Sequence, residues 1–276
     1  MRLARNVRLS QRALLRHWVR TVLALSGTAV GVGAVLVMIS VGEGAQREVL
    51  AQIDALGRNM LVVNAGDAPR PEVRSRSASK VTTLRLSDVP ALLRGSPSID
   101  LAAPAQDGGR RVKFGTVNTF TTVRATTPEW ATIRDFDLTA GRFFTSDESR
   151  INARVGVIGS QVKEVLFPDA DPLGKVIRVG RVPIEVVGVL ESKGATVDGL
   201  SAEDNQVVVP IGTGLRRIFN VDHLKMVYTR VAEGRDMEAA EAEMRAVLRD
   251  RHALVHLGRE DDFAIQNQAL VLEAEM

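Results

Sequence analysis

The chain of 276 residues contains no cysteine. Disulfide bonds and thiol chemistry are therefore excluded, and any exported part must fold without covalent cross-links. Aromatic residues make up only 4% of the sequence, which argues against stacking platforms for sugars or nucleobases. Acidic residues are missing from residues 1–42, although the charged fraction of the whole chain is an ordinary 25%. The remaining composition is that of a globular protein with a substantial apolar core.

A single uncharged run, Thr21 to Val41, has the length of a membrane-spanning helix. At about 1.5 Å per residue it would extend roughly 31 Å, close to the ~30 Å hydrocarbon core of a bilayer. Arginines crowd the sequence before it, whereas mixed charges follow it. Because cationic flanks stay in the cytoplasm, we expect the N-terminus inside and the rest of the chain outside. A cleaved signal peptide or a buried soluble helix are the alternatives.

The segment 1–20 pairs its arginines with interspersed leucine and valine. It is either an amphipathic helix on the lipid surface or an unstructured basic flank. Within the span 21–41, Gly27 and Gly31 form a small-xxx-small pair. Such pairs let two helices approach closely in a membrane, so both glycines are candidates for a helix–helix interface.

Charge excludes a general nucleic-acid role for the exterior part. The net charge is +3, and six arginines lie in residues 1–20, so the remainder carries about −3. A nucleic-acid-binding domain would concentrate positive charge instead.

The exterior sequence predicts an α+β fold assembled from both ends of the chain. Residues 42–107 and 223–268 each contain a strand, a helix and a strand, and residues 269–276 form a short tail. The six predicted elements are Met60–Val63, Val89–Leu93, Ile99–Ala105, Lys225–Val231, Asp236–Arg251 and Asp262–Gln266. Between these two parts, residues 108–222 predict a mainly β insert, whose short strands are separated by turn signals that include Gly108-Gly109 and Asp171-Pro172-Leu173-Gly174.

The search for reactive groups yields two weak candidates. His252 and His256 have the four-residue spacing of helical zinc ligands, but apolar residues interrupt that face, so solvated histidines are the better interpretation. Ser160 follows a strand, yet Val162 replaces the glycine of a nucleophile elbow, and an N-cap role is favoured. No phosphate-binding GxxxxGK[ST] loop occurs. We therefore expect no catalytic residue, metal site or cofactor, and no enzymatic activity.

Several segments, in order along the chain, resemble one family, the MacB/FtsX-like ABC transporter permeases. The matching stretches are Leu56-Gly57-Arg58-Asn59, Ala140-Gly141-Arg142-Phe143-Phe144, Val155-Gly156-Val157-Ile158-Gly159, Asp171-Pro172-Leu173-Gly174-Lys175, Val186-Val187-Gly188-Val189, Asn205-Gln206-Val207-Val208-Val209-Pro210, Arg251-His252 and Asp261-Asp262-Phe263. Each is modest alone, and their common order makes the resemblance specific.

The resemblance implies an inner-membrane permease subunit with a periplasmic core domain, in which a porter-like subdomain carries an inserted sabre-like one. It further implies mechanotransmission, in which a separate ABC ATPase drives a dimer of permease copies or paralogues, with a periplasmic adaptor as a further partner. Some relatives transport nothing and regulate a cell-wall hydrolase, so a regulatory scaffold is the alternative function. A membrane-anchored sensor ranks last. The family continues into three more membrane helices, so we expect this chain to be part of a longer or split permease.

Overall fold

The computed structural model describes residues 23, 26–27, 29–39, 59–66, 82–193 and 203–267. Two compact units, Met1–Gln52 and Ile53–Met276, divide the chain. In the first unit the described residues are helical, and all except Gly33 are exposed. Within the described part of the chain, no helix combines the length and apolar character needed to cross a membrane. The predicted span 21–41 therefore stays a prediction, and segments 1–20, 42–58 and 269–276 lie outside the described residues.

The second unit contains both strands and helices, which confirms the mixed α+β class. The described strands are β1 (Met60–Ala65), β2 (Ile99–Phe114), β3 (Val117–Thr126), β4 (Leu138–Gly141), β5 (Val155–Ile158), β6 (Val176–Val179), β7 (Val182–Leu190), β8 (Gln206–Pro210), β9 (Met226–Val231) and β10 (Phe263–Asn267). The described helices are α1 (Asp88–Gly95), α2 (Glu129–Ile133), α3 (Ser146–Arg150), α4 (Ser160–Leu166), α5 (Ile211–Thr213), a π-helical turn (Gly214–Phe219), α6 (Met237–Arg251) and α7 (Leu254–Leu257).

Strand β1 is buried on both faces, as its unbroken apolar sequence indicates. Side chains alternate across a strand, so Leu61 and Val63 enter the first core while Met60 and Val62 enter the second. The first core, on the face covered by α1 and α6, also contains Leu92, Met244 and Leu248. The second core lies on the opposite face and is centred on Trp130 of α2. The sheet is thus a middle layer between two apolar layers.

Strands from both ends of the chain interleave in the order β10–β1–β9–β2. Both neighbours of β1 run antiparallel to it, with Leu61 opposite Asn267 of β10 and opposite Thr229 of β9. Among the described strands, the first and the last in sequence, β1 and β10, are thus neighbours in the sheet.

Strand β2 is long enough to belong to two sets of strands. Its first half pairs with β9 between Ile99 and Ala105, and its second half pairs with β3 between Gln106 and Phe114. Because β6 pairs with both β2 and β7, the strands β2, β3, β8, β5, β7 and β6 close on themselves. Valines and isoleucines of the first core fill the interior of this ring of strands. The predicted boundaries of an inserted subdomain at 108–222 stay a prediction.

The predicted turn at Gly108-Gly109 is wrong, because both glycines lie inside β2. They make room for aromatic rings: a Cβ on Gly109 would lie 2.3 Å from Cζ of Phe120, and one on Gly108 would lie 3.2 Å from Cε1 of Phe219. The chain reverses instead at Gly115, whose φ of +56° suits a residue without a side chain.

The prediction that Ser160 caps helix α4 is also wrong. Gly159 is the N-cap, with an extended backbone, and Ser160 is the first helical residue. A Cβ on Gly159 would lie 2.2 Å from the carbonyl oxygen of Asp204, so the position that begins the helix accepts only glycine. Steric closeness to another segment therefore overrides the usual preference for a serine cap.

Gly141 should be one of the most sensitive positions of the fold. Its φ is +75°, and a Cβ there would lie 2.3 Å from the carbonyl oxygen of Val187. We expect Gly141→Ala to lower the free energy of unfolding by about 3 kcal/mol, from left-handed strain together with overpacking. Gly234 has the same φ of +75° but open space around it, so Gly234→Ala should cost only about 1 kcal/mol. Urea unfolding followed by circular dichroism measures both, and equal losses would contradict the steric explanation.

Candidate functional site

The predicted interface glycines lie on an open helix surface. A Cβ on Gly27 or Gly31 would meet no described atom within 4 Å, and both residues are exposed. Neither glycine is therefore covered by another described residue. A role in helix–helix contact stays a proposal.

His252 is not a solvated histidine, in contrast to the expectation from sequence. Its side chain is only 8% exposed and lies between two carboxylates. Nδ1 is 2.7 Å from Oδ1 of Asp262, and Nε2 is 3.5 Å from Oδ2 of Asp88. The ring also meets Phe263 edge-on, and Arg251 donates from Nε to Oδ1 of Asp88 at 2.9 Å. The Arg251-His252 and Asp262-Phe263 pieces of the family pattern therefore meet in one cluster.

This cluster favours a charged imidazolium, because a carboxylate faces each ring nitrogen. Asp88 contributes most to raising the pKa of His252, burial opposes the rise, and Asp262 adds to it. Burial alone would raise the pKa of Asp88, but hydrogen bonds from His252, the Arg85 amide and Arg251 lower it to about 2. The cluster ties the start of α1 to the end of α6 and to the residue before β10, so its role is structural.

A second ion-pair group strengthens the same connection. Asp261 accepts from both Arg245 and Arg249 of α6, and Arg245 also pairs with Glu241 at 2.6 Å. Asp261, which follows the helix in sequence, thus binds two arginines on it. His256 is exposed, as expected. Within the described ranges, no group of three or more histidine, aspartate or glutamate side chains is placed to hold a metal ion.

The Gly-Arg-Phe-Phe piece of the family pattern also has a structural role. Gly141 fits against the backbone of β7, and Arg142 forms a two-pronged ion pair with Glu148 at 2.7 Å on both arms. Glu148 completes a capping box with Thr145 at the start of α3. The Phe143 ring lies 4.4 Å from that of Phe144. These residues fix a corner of the second core and offer no reactive group.

The most distinctive polar site lies on the second face of the sheet, and we call it the arginine pocket. It is a cavity of about 260 Å³ lined by Val62, Asn64, Arg124, Arg134, Glu203, Met226, Tyr228 and Gln266. Arg124 comes from β3, and Arg134 is the C-cap of the short helix α2. The Cζ atoms of Arg124 and Arg134 lie 5.9 Å and 5.8 Å from the ring centre of Tyr228. Two guanidinium groups thus flank one aromatic ring.

Each arginine has polar partners for only some of its donor groups. Arg134 pairs with Glu203, and Arg124 donates to Oε1 of Gln206 at 3.2 Å and to Asp107 at 3.5 Å. Lys225 also forms an ion pair with Asp107, with its Nζ 2.6 Å from Oδ1. Burial lowers the pKa of Arg134, Tyr228 opposes that change, and the like charge of Arg124 adds to it. The pocket is therefore a desolvated, cationic environment.

Several buried donors around this pocket have no acceptor among the described residues. They are Nε of Arg124, Nε of Arg134, Nε1 of Trp130 and Nε2 of Gln206. A buried polar group without a partner typically costs about 1–3 kcal/mol, so such a cluster is unusual in a native core. Sequence reasoning missed this site, because Arg124 and Arg134 match no motif and meet only in the folded sheet.

Other basic residues of the second unit are partly surface features. Arg111, Lys113, Arg216 and Arg217 are exposed to solvent. Arg110 instead lies half-buried, with its Cζ 4.8 Å from the ring centre of Phe219.

Comparison with known proteins identifies the family. The sequence profile of the MacB-like periplasmic core domain matches residues 21–247. The macrolide export ATP-binding/permease protein MacB of Azoarcus sp. strain BH72 is 32% identical over 271 residues, which cover 98% of this chain and 39% of that protein. The pyoverdine export ATP-binding/permease protein PvdT of Pseudomonas syringae pv. tomato is 33% identical over 257 residues, covering 93% and 37% respectively.

A solved structure supports the fold independently. The periplasmic region of MacB from Actinobacillus actinomycetemcomitans superposes with a TM-score of 0.68 at 19% identity, covering 82% of this chain and 97% of that one. The fold and the family-pattern residues thus define a periplasmic-type domain of ABC transporter permeases. The chain belongs to the MacB-like periplasmic core domain family. It spans about two fifths of the length of the curated relatives it matches.

The His252 cluster predicts a specific pH dependence of stability. The pKa of His252 is raised in the folded state, so the stabilisation is complete below about pH 6.5 and is lost as pH rises through the folded value. We expect His252→Asn to lower the free energy of unfolding by about 1.5–3 kcal/mol at pH 6, with a smaller difference from wild type at pH 9. Urea unfolding across this range measures the difference.

His256→Asn is the matched control and should follow the wild-type profile. A His252→Asn variant whose difference from wild type is the same at pH 6 and pH 9 would contradict the charged-imidazolium interpretation.

Proposed function

We propose that this chain is the first membrane helix and periplasmic domain of a MacB/FtsX-like permease that works by mechanotransmission. The observation that supports this best is the adjacency of β1 and β10. If membrane helices precede β1 and follow β10, as the family resemblance implies, their movements act on two neighbouring strands. Topologically, the N-terminus is cytoplasmic and the second unit periplasmic, on the inner membrane.

The sheet has the properties that such a role requires. A displacement applied to β1 or β10 passes through the β9 ladder to β2, which continues into the ring of six strands. Side chains of β1 are packed on both faces, so the strand is part of a dense, poorly compressible interior. Motion therefore reaches the ring through shared backbone hydrogen bonds, and no flexible linker interrupts the path along β2.

We propose that the chain has no catalytic centre and depends on an ATPase that is a separate polypeptide. The relatives' names combine ATP binding and a permease, which supports the dependence on an ABC ATPase. The further proposed partners are a second permease copy or paralogue, a periplasmic adaptor and membrane lipid. The substrate, exported or extracted on the periplasmic side, differs among relatives whose names specify macrolide export or pyoverdine export.

The alternative proposal is a non-transporting scaffold for a periplasmic protein such as a cell-wall hydrolase. It is favoured by one surface of the ring of strands, where Phe120 is 67% exposed and pairs across strands with Arg111. An exposed aromatic ring beside a guanidinium is typical of a protein-binding surface.

Affinity purification of the gene product from its own host, in detergent, tests the proposed function. We expect an ABC ATPase to co-purify, with ATP hydrolysis that depends on the complex. A cell-wall hydrolase recovered without transport activity would support the scaffold, and recovery of neither an ATPase nor a hydrolase would contradict both proposals.

In the same purification, Gly27→Leu with Gly31→Leu should insert normally but lose assembly with the other membrane helices, because close packing is blocked.

Ala29→Leu is the matched control. At about 100° per residue, Ala29 lies on the opposite side of the helix from the midpoint of the two glycines. Complex recovery that is unchanged in the double leucine variant would show that the glycines face lipid.

A further inference from the structure

We propose that the arginine pocket binds a small organic carboxylate, one that carries an apolar or aromatic group. This inference concerns the pocket alone and is independent of whether the domain serves transport or a scaffold.

Two guanidinium groups face the cavity with donors that lack an acceptor among the described residues. Arg134 is 5% exposed, it faces the cavity, and its Nε has no acceptor among the residues described. Arg124, which also lines the cavity, has an unpartnered Nε as well. A guanidinium presents a planar fork that matches a carboxylate, and both forks are already held in place by Glu203, Gln206 and Asp107. A pre-organised donor set of this kind binds anions without first having to be ordered.

The charged groups at the pocket do not balance one another. The groups joined by ion pairs here are Arg124, Arg134 and Lys225 on one side and Asp107 and Glu203 on the other. They leave one positive charge, which one monoanion would balance. A dianionic phosphate would face the Glu203 carboxylate and would leave negative charge uncompensated.

The size and lining of the cavity suit a ligand that also has an apolar part. Its volume of about 260 Å³ exceeds the needs of a bare carboxylate. The walls include Val62, Met226 and the ring of Tyr228, whereas Asn64 and Gln266 bond to each other at 3.1 Å on one side. An apolar or aromatic substituent would cover Tyr228 and Met226 while its carboxylate reached the arginines.

Binding of benzoate to the full chain tests the proposal, with Trp130 as the reporter. Trp130 is fully buried, and the Cζ of Arg124 lies 5.3 Å from its ring centre. The sequence has one other tryptophan, at position 18, and Trp18→Phe removes its background. We expect saturable quenching and a rise in thermal unfolding temperature with benzoate, and neither with the neutral analogue benzamide. Arg134→Met should weaken benzoate binding about 10- to 100-fold, as expected for the loss of a charge-assisted pair.

Arg111→Met, at an exposed arginine of β2, is the matched control and should bind benzoate like wild type. If Arg134→Met does not fold, Arg124→Gln provides the same comparison, because that side chain is 14% exposed and its loss leaves less buried charge unpaired. Equal affinity of wild type and the pocket variant would overturn the proposal. So would inorganic phosphate binding in place of benzoate, or no benzoate binding up to 10 mM, on the order of the weakest affinity that two buried arginines should give.

Discussion

The antiparallel pairing of β1 with both β9 and β10 is the constraint on which the rest of the second unit depends. It joins segments separated by about two hundred residues of sequence, since Leu61 lies opposite both Thr229 and Asn267. Because β1 contributes to both apolar cores, any slip of one residue would exchange its two buried faces. Register and packing therefore fix each other, and the ring of strands is attached to this arrangement through β2.

Polar interactions then reinforce the same connection at its edge. The His252 cluster joins α1, α6 and the start of β10, and Asp261 adds two arginines of α6. These groups are fully engaged with one another, which suits a structural tie. The arginine pocket differs, because its buried donors exceed the acceptors that the described residues supply. This difference separates a site that stabilises the fold from one suited to a ligand.

Sequence reasoning located most elements of the second unit, because their patterns are local. The apolar run at Met60 predicted β1, and the periodicity after Asp236 predicted α6, which begins one residue later. A glycine was wrongly interpreted as a turn signal where it is needed for close packing between distant parts of the chain, as at Gly109 beneath the Phe120 ring. The candidate site could not be predicted, since Arg124 and Arg134 become neighbours only through folding. His252 was misassigned for the same reason, because Asp88 lies far away in sequence.

We propose that the second unit lies outside the cytoplasm while the N-terminus lies within it. The absence of cysteine allows a direct test with single introduced thiols. Ile151 is 69% exposed, so Ile151→Cys in spheroplasts should react with a membrane-impermeant maleimide. Ser10→Cys should react only after lysis, and Ala103→Cys, fully buried, only after unfolding. Labelling of Ile151→Cys that requires lysis would contradict the proposed topology.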